Sequence, residues 1–177
     1  MSLLILSASL NSDSNSRLLA REAERVLRAD GAEVTFLDLR DLPLPLCDGD
    51  QTYSDPNVAR ARHLVAAADG ILVATPIYNY DANAAAKNFV ELTGDAWENK
   101  VVAFLCSAGG HGSFMSIMAL ANSLMLDFRC VVVPRFVYTT GAAFAGDKIT
   151  DTKVAARTAE CARATAKLAA AVKSAEG

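Results

Sequence analysis

The chain carries little net charge: 17 Lys and Arg against 20 Asp and Glu leave −3 over 177 residues. Such a balance provides no broad basic surface for a nucleic-acid backbone, and no strongly acidic one for docking a basic partner. Histidine occurs only twice, at His63 and His111, and the four cysteines (Cys47, Cys106, Cys130, Cys161) include no C-x-x-C pair. Zinc-type spacing is therefore absent, and scattered cysteines in mostly apolar surroundings fit reduced, buried thiols. Long hydrophobic runs are also missing. The longest, residues 114–126, is broken by Ser116, Asn122 and Ser123 and falls short of the roughly 18 residues that a membrane span needs. The opening MSLLILSAS has no basic region before its apolar run, so no secretory leader or membrane attachment is expected and the cytoplasm is the expected location. Neither G-x-G-x-x-G nor G-x-x-x-x-G-K-[ST] occurs, which excludes the common dinucleotide fingerprint and the Walker loop.

What is present is a chain 52% hydrophobic and 21% charged, enough to bury a large core and too apolar for general disorder. Its length fits one domain over residues 1–177. Short apolar runs at 3–6, 34–37, 71–74, 101–106 and 130–133 read as strands. Helical patterns lie between them: 16–28, a segment opened by Asp55-Pro56, 83–92, a stretch after a glycine turn through Met125, and a tail from about Asp151. Strands apolar on both faces that alternate with helices imply a parallel sheet covered on both sides. With right-handed crossovers, the expected fold is α/β and flavodoxin-like: a three-layer sandwich whose five-stranded parallel sheet has the order 2-1-3-4-5. Ligands of such sheets bind beyond the carboxyl ends of the strands. The loops that matter then follow strands one, three and four.

The first of these loops is dense in hydroxyls and amides: Ser9, Asn11, Ser12, Ser14, Asn15 and Ser16. Backed by a helix N-terminus, it has the chemistry to hold a phosphate without lysine. A polar turn with a serine cap accounts for the same residues, and Asp13 must turn away from any anion. The second loop runs from Thr75 through Pro76, Ile77, Tyr78, Asn79 and Tyr80 to Asp81. Proline stiffens the strand exit and the tyrosines offer flat faces with polar tips; an ordinary surface loop is the alternative. The third holds Ser107, Gly109, Gly110, His111 and Gly112. Its glycines let backbone N–H groups approach a planar ligand, or simply permit a tight turn. His111 has no second histidine nearby in sequence, so metal ligation is not expected. Together the loops suit a phosphorylated, planar, aromatic molecule, and FMN meets that description.

These segments are similar to those of the NADPH-dependent FMN reductase family. In that family the first loop reads G-S-x-R-x-x-S-x-N, and residues 8–16 keep the register with Asn11 in place of the arginine. The flavin loop reads P-x-Y-N-x-S-x-P-G-x-L-K-N. Pro76, Tyr78, Asn79, Lys87 and Asn88 match it, whereas Asp81, Asn83, Ala84 and Ala86 replace the usual Ser, Pro, Gly and Leu. The third loop matches S-x-G-x-x-G at Ser107, Gly109 and Gly112. The resemblance extends to about the start of the last helix.

The resemblance implies an FMN-dependent oxidoreductase. Ser9, Asn11, Ser14 and Ser16, with Asn15 among them, would hold the FMN phosphate. Pro76, Ile77, Tyr78 and Asn79 would border the isoalloxazine, and Ser107, Gly109, Gly110 and Gly112 its other edge. NADPH or NADH would donate hydride to the flavin, and a small acceptor such as a flavin, quinone or azo compound would receive it, with no catalytic side chain required. Backbone N–H groups of the 109–112 turn, at the start of a helix, are expected to stabilise negative charge on reduced flavin. The helix that follows is apolar nearly all round, which points to burial against a second subunit. The family's two-fold dimers agree, and a tetramer would arise by pairing them. Phe136, Tyr138 and Phe144 are expected either to cover a partner's flavin or to join the core. The alternatives are a flavodoxin-like electron carrier, for which −3 is a mild charge, and a flavin-binding module without turnover.

Overall fold

The computed structural model describes residues 1–176. Its central sheet begins with β1 (Ser2–Ser7), followed by α1 (Asn15–Ala29), β2 (Glu33–Asp38), α2 (Pro56–Ala67) and β3 (Gly70–Tyr78). A two-residue return strand, β4 (Asp81–Ala82), precedes α3 (Ala84–Thr93) and β5 (Val101–Ala108). Then come α4 (Met118–Phe128), β6 (Val131–Val132), β7 (Val137–Thr140), a small hairpin of β8 (Phe144–Ala145) and β9 (Lys148–Ile149), and α5 (Thr152–Glu176). The strands pair in the order β2-β1-β3-β5-β6, with β7 also on β5 and β4 on β3. Because β4 takes a number, this is the expected 2-1-3-4-5 order, parallel throughout apart from the β4 return.

Alternation within the strands builds two cores. Leu4, Leu6, Ile71, Val73, Val102 and Phe104 face one side, against Ala61 and Val65 of α2, Phe89 of α3 and Leu120 and Leu124 of α4. Leu3, Ile5, Leu72, Ala74, Ala103 and Leu105 face the other, against Leu19 and Ala23 of α1 and Cys161 and Ala169 of α5. Both faces being covered explains the continuous apolar runs. Gly70 shows how closely α5 lies on the sheet: a Cβ there would come within 3.0 Å of Ala169 Cβ and 2.9 Å of Leu3 Cδ2. The helix starts follow their sequence signals. The Ser14 hydroxyl accepts from the Arg17 N–H, and Asp55 accepts from the N–H groups of Asn57 and Val58, with Pro56 in the first turn.

Three expectations need correction. First, Thr75 to Tyr78 is strand, not loop: Pro76 pairs in register with Ser107, and Ile77 with Ala108. The wall of the presumed site is therefore sheet. Second, the fifth strand position is divided. Val131–Val132 pair with Val101–Val102, and Val137–Thr140 pair with Leu105–Ala108 further along β5. Pro134 lacks a ladder donor, and Arg135 adopts a left-handed φ of 61°, so the strand breaks and restarts. Third, no α-helix follows the glycine turn directly. Residues 111–113 form one 3-10 turn, and α4 begins only at Met118.

Cys106, Cys130 and Cys161 are buried, Cys47 is half-buried, and all are free thiols. Burial pushes the Cys130 and Cys161 thiols up to about 11, so both stay protonated near neutrality. Among the described residues no helix is long and apolar enough to cross a membrane. No group of three or more His, Cys, Asp or Glu among them is placed to hold a metal ion.

Candidate functional site

The carboxyl ends of β1, β3 and β5, with Gly141 just past β7, open onto one cleft of about 840 Å³. That size falls in the range of small-molecule sites. Eleven of the sequence-predicted residues line it: Ser9, Asn11, Ser14, Asn15, Ser16, Pro76, Ile77, Tyr78, Asn79, Ser107 and Gly109. Gly110 and Gly112 stand outside the lining.

At one end, hydroxyls are prearranged as donors. The Ser9 hydroxyl accepts from the Asn11 N–H at 3.3 Å, and Asn11 Oδ1 accepts from the Asp13 N–H at 3.0 Å. Ser14 Oγ accepts from the Arg17 N–H at 3.3 Å and lies 3.0 Å from Ser16 Oγ. A hydroxyl that accepts from backbone still has its own proton to donate, and the Ser14–Ser16 pair spends one of its two protons between them. Helix geometry also leaves the first-turn N–H groups of Asn15 and Ser16 without an intrahelical acceptor. No acidic residue stands in that turn to oppose an anion. Asp13 borders the cleft rather than turning fully away, but it is exposed, where solvent screens its charge.

The opposite wall is the β3–β4 hairpin. Ile77 pairs with Ala82 and Tyr78 with Asp81, leaving Asn79 and Tyr80 as a two-residue turn with φ of 50° and 65°. Two left-handed residues in succession are what such a hairpin requires; asparagine adopts that region readily, whereas a tyrosine there costs about 1–2 kcal/mol. Asn83, one residue past β4, supports that turn. Its Oδ1 accepts from Thr75 Oγ1 at 2.9 Å and from the Ala86 N–H at 3.3 Å, while its Nδ2 donates to the Ala8 carbonyl at 2.8 Å. One buried side chain thus joins β3, the start of α3 and the first residue of the hydroxyl-rich loop. From the sequence Asn83 opened the helical pattern 83–92 and departed from a proline, with no role assigned to its side chain; its place at the start of a helical run was the signal for a cap.

The third segment closes on aromatics. A Cβ on Gly109 would meet nothing within 4 Å, although the residue lines the cleft, so a side chain there has open space. A Cβ on Gly112 would lie 3.0 Å from Tyr80 Oη, so that glycine lets the turn approach the hairpin. The Tyr138 hydroxyl donates to the Gly110 carbonyl and lies 2.8 Å from Ser113 Oγ. Phe114 stacks on Phe136 at 5.1 Å and meets Tyr138 edge-on at 5.4 Å. Phe136 and Tyr138 therefore pack within this chain, and Phe144 packs against the α1–α5 core. Because α4 starts at Met118, the turn has no α-helix N-terminus behind it. Any charge stabilisation from 109–112 must come from its individual N–H groups. Gly141 was missed because only the loops after strands one, three and four were expected to form the site, and the fifth strand was expected to end at residue 133.

These residues fit FMN. Neutral donors at a helix N-terminus suit a phosphate, and the strip from Pro76 to Asn79 facing Gly109 suits a flat ring system.

Residues 1–145 match the family model described as NADPH-dependent FMN reductase. The chain is 28% identical over 144 residues to an NAD(P)H-dependent FAD/FMN reductase of Geobacillus thermodenitrificans, covering 80% of this chain and 77% of that protein. It is 30% identical over 136 residues to a probable NADPH:quinone oxidoreductase of Oryza sativa subsp. japonica, covering 73% and 67%. Among solved structures, the flavoenzyme NAD(P)H:(acceptor) oxidoreductase from Paracoccus denitrificans superposes with a TM-score of 0.77 at 22% identity, covering 95% and 96%.

Proposed function

The chain belongs to the NADPH-dependent FMN reductase family, and from that premise we propose how its cleft serves the reaction. The protein is an FMN-dependent NAD(P)H oxidoreductase acting on a small acceptor of the flavin, quinone or azo class. When bound, FMN supplies the hydride acceptance and release. The protein's own work is positioning. Ser9, Asn11, Ser14, Asn15 and Ser16 hold the phosphate with hydroxyls, amides and first-turn N–H groups. Pro76, Ile77, Tyr78 and Asn79 border the ring system along the rigid end of β3, and Ser107 and Gly109 border it from β5. Gly110 and Gly112 act through the shape of the turn. No side chain is asked to move a proton.

The observation that carries this reading is the convergence of three separate segments, rich in neutral donors, on one cleft at the strand ends. The test is direct. Purified protein with added FMN should turn yellow and consume NADPH rapidly when a quinone is supplied. A protein that retains no FMN sinks the reading. Flavin that is reduced only through a second reductase protein identifies an electron carrier instead.

We read the 177 residues as one FMN-binding domain working in the cytoplasm as a homodimer. Support for the dimer comes from exposed apolar side chains in and before α4: Phe114, Met115, Met125 and above all Leu126, 84% exposed. At micromolar concentration the protein should elute with the mass of two chains, and Leu126→Asp should shift it toward one. A monomeric wild type would end the dimer proposal.

A further inference from the structure

We infer that Arg17 is a positioning residue for the phosphate end of the FMN site, holding the loop after β1 by its carbonyls. The inference rests on the FMN reading above. Arg17 is the first cationic side chain in the sequence, and it stands outside the cleft lining. Its guanidinium is fully occupied. Nε and Nη2 donate to Asp38 Oδ2 and Oδ1 at 2.5 and 3.3 Å. Nη2 also donates to the Ser9 carbonyl at 2.8 Å, and Nη1 to those of Asn11 and Ser12 at 2.7 and 3.1 Å. Those five bonds use all five N–H donors that a guanidinium has, so no donor remains for an anion.

The consequence is an orientation of the loop. Three of its carbonyls are drawn onto a cation that is itself only 13% exposed and is anchored to Asp38, 7% exposed, at the end of β2. Their partial negative charge is thereby neutralised and kept from a bound phosphate. The hydroxyls of Ser9, Ser14 and Ser16 and the first-turn N–H groups of α1 are left to face it. This matters more here because Asn11 stands where the resembling family often has arginine, so the segment from 8 to 16 supplies no cation of its own. Lysine cannot substitute: an ammonium has three donors and no planar fork to span Asp38 and three carbonyls at once.

The experiment compares wild type, Arg17→Lys and Asp38→Asn, each stripped of flavin. Dissociation constants for FMN and for riboflavin, which lacks the phosphate, are measured by fluorescence quenching, and thermal midpoints are recorded without flavin. Both variants should weaken FMN by about tenfold or more and change riboflavin far less, so the preference for FMN over riboflavin falls. A merely structural role would lower the midpoint and weaken both flavins together, which overturns the inference. So does an unchanged FMN-to-riboflavin ratio in Arg17→Lys, or in Asp38→Asn if the lysine variant does not fold. A wild type that binds neither flavin overturns the FMN reading and this inference with it.

Discussion

Asn83→Ala is expected to lower stability by about 2 kcal/mol, which for a chain of this size moves the thermal midpoint down by about 6 °C. Asn83 is 6% exposed, and alanine in its place takes its donor from the Ala8 carbonyl and the side-chain cap from α3, whereas the Thr75 hydroxyl keeps its bond to the Pro76 carbonyl and the Ala86 N–H its bond to the carbonyl of residue 83. The buried carbonyl left without its donor costs about 1 kcal/mol or more, and the loss of the α3 cap about as much again. The damage should reach the site. Ala8 leads into the hydroxyl-rich loop, and Thr75 precedes the strip that borders the cleft. FMN binding should therefore weaken alongside stability. Differential scanning calorimetry on the flavin-free protein checks the first effect; a midpoint within 2 or 3 °C of wild type, as ~1 kcal/mol would give, would refute it.

Asn83 also marks where sequence reading stops. The strands were legible because a doubly covered sheet writes itself as apolar runs such as Leu3-Leu4-Ile5-Leu6, and α2 announced itself through Asp55-Pro56. Those signals are local. The bonds from Asn83 reach Ala8 across 75 positions and Thr75 across 8, and nothing in the spacing of asparagines encodes them. The same limit explains the misplaced helix. Residues 114–117 have the composition of a helical face, but Phe114 is held by Phe136 and Tyr138, more than twenty positions later. Those ring contacts favour turn over helix there, and α4 is displaced to Met118. In the fifth strand the local signal was present and undervalued: Pro134 ended one ladder, and the β-branched and aromatic run Val137-Tyr138-Thr139-Thr140 began another. The residues of the cleft were largely found in advance because the strand ends fix where loops meet, whatever those loops look like in detail.

Gly109→Val should separate cofactor binding from folding. Gly109 lines the cleft, its backbone lies outside the left-handed region, and a Cβ there meets no protein atom within 4 Å. The flavin-free variant should unfold within about 0.5 kcal/mol of wild type, as substitutions in open space generally do. The added isopropyl group instead takes space beside the bound ring system, where overlap costs about 2 kcal/mol and so weakens FMN about 30-fold. Gly110→Val is the matched control. Its Cβ also meets nothing within 4 Å, but the residue stands outside the cleft lining, so FMN affinity should stay within about twofold. Titration of both variants with FMN, followed by flavin fluorescence, gives the comparison. Equal losses would mean that the whole turn, rather than Gly109 alone, approaches the flavin. No loss in either would move the ring system away from β5 and leave the β3 strip as its only wall.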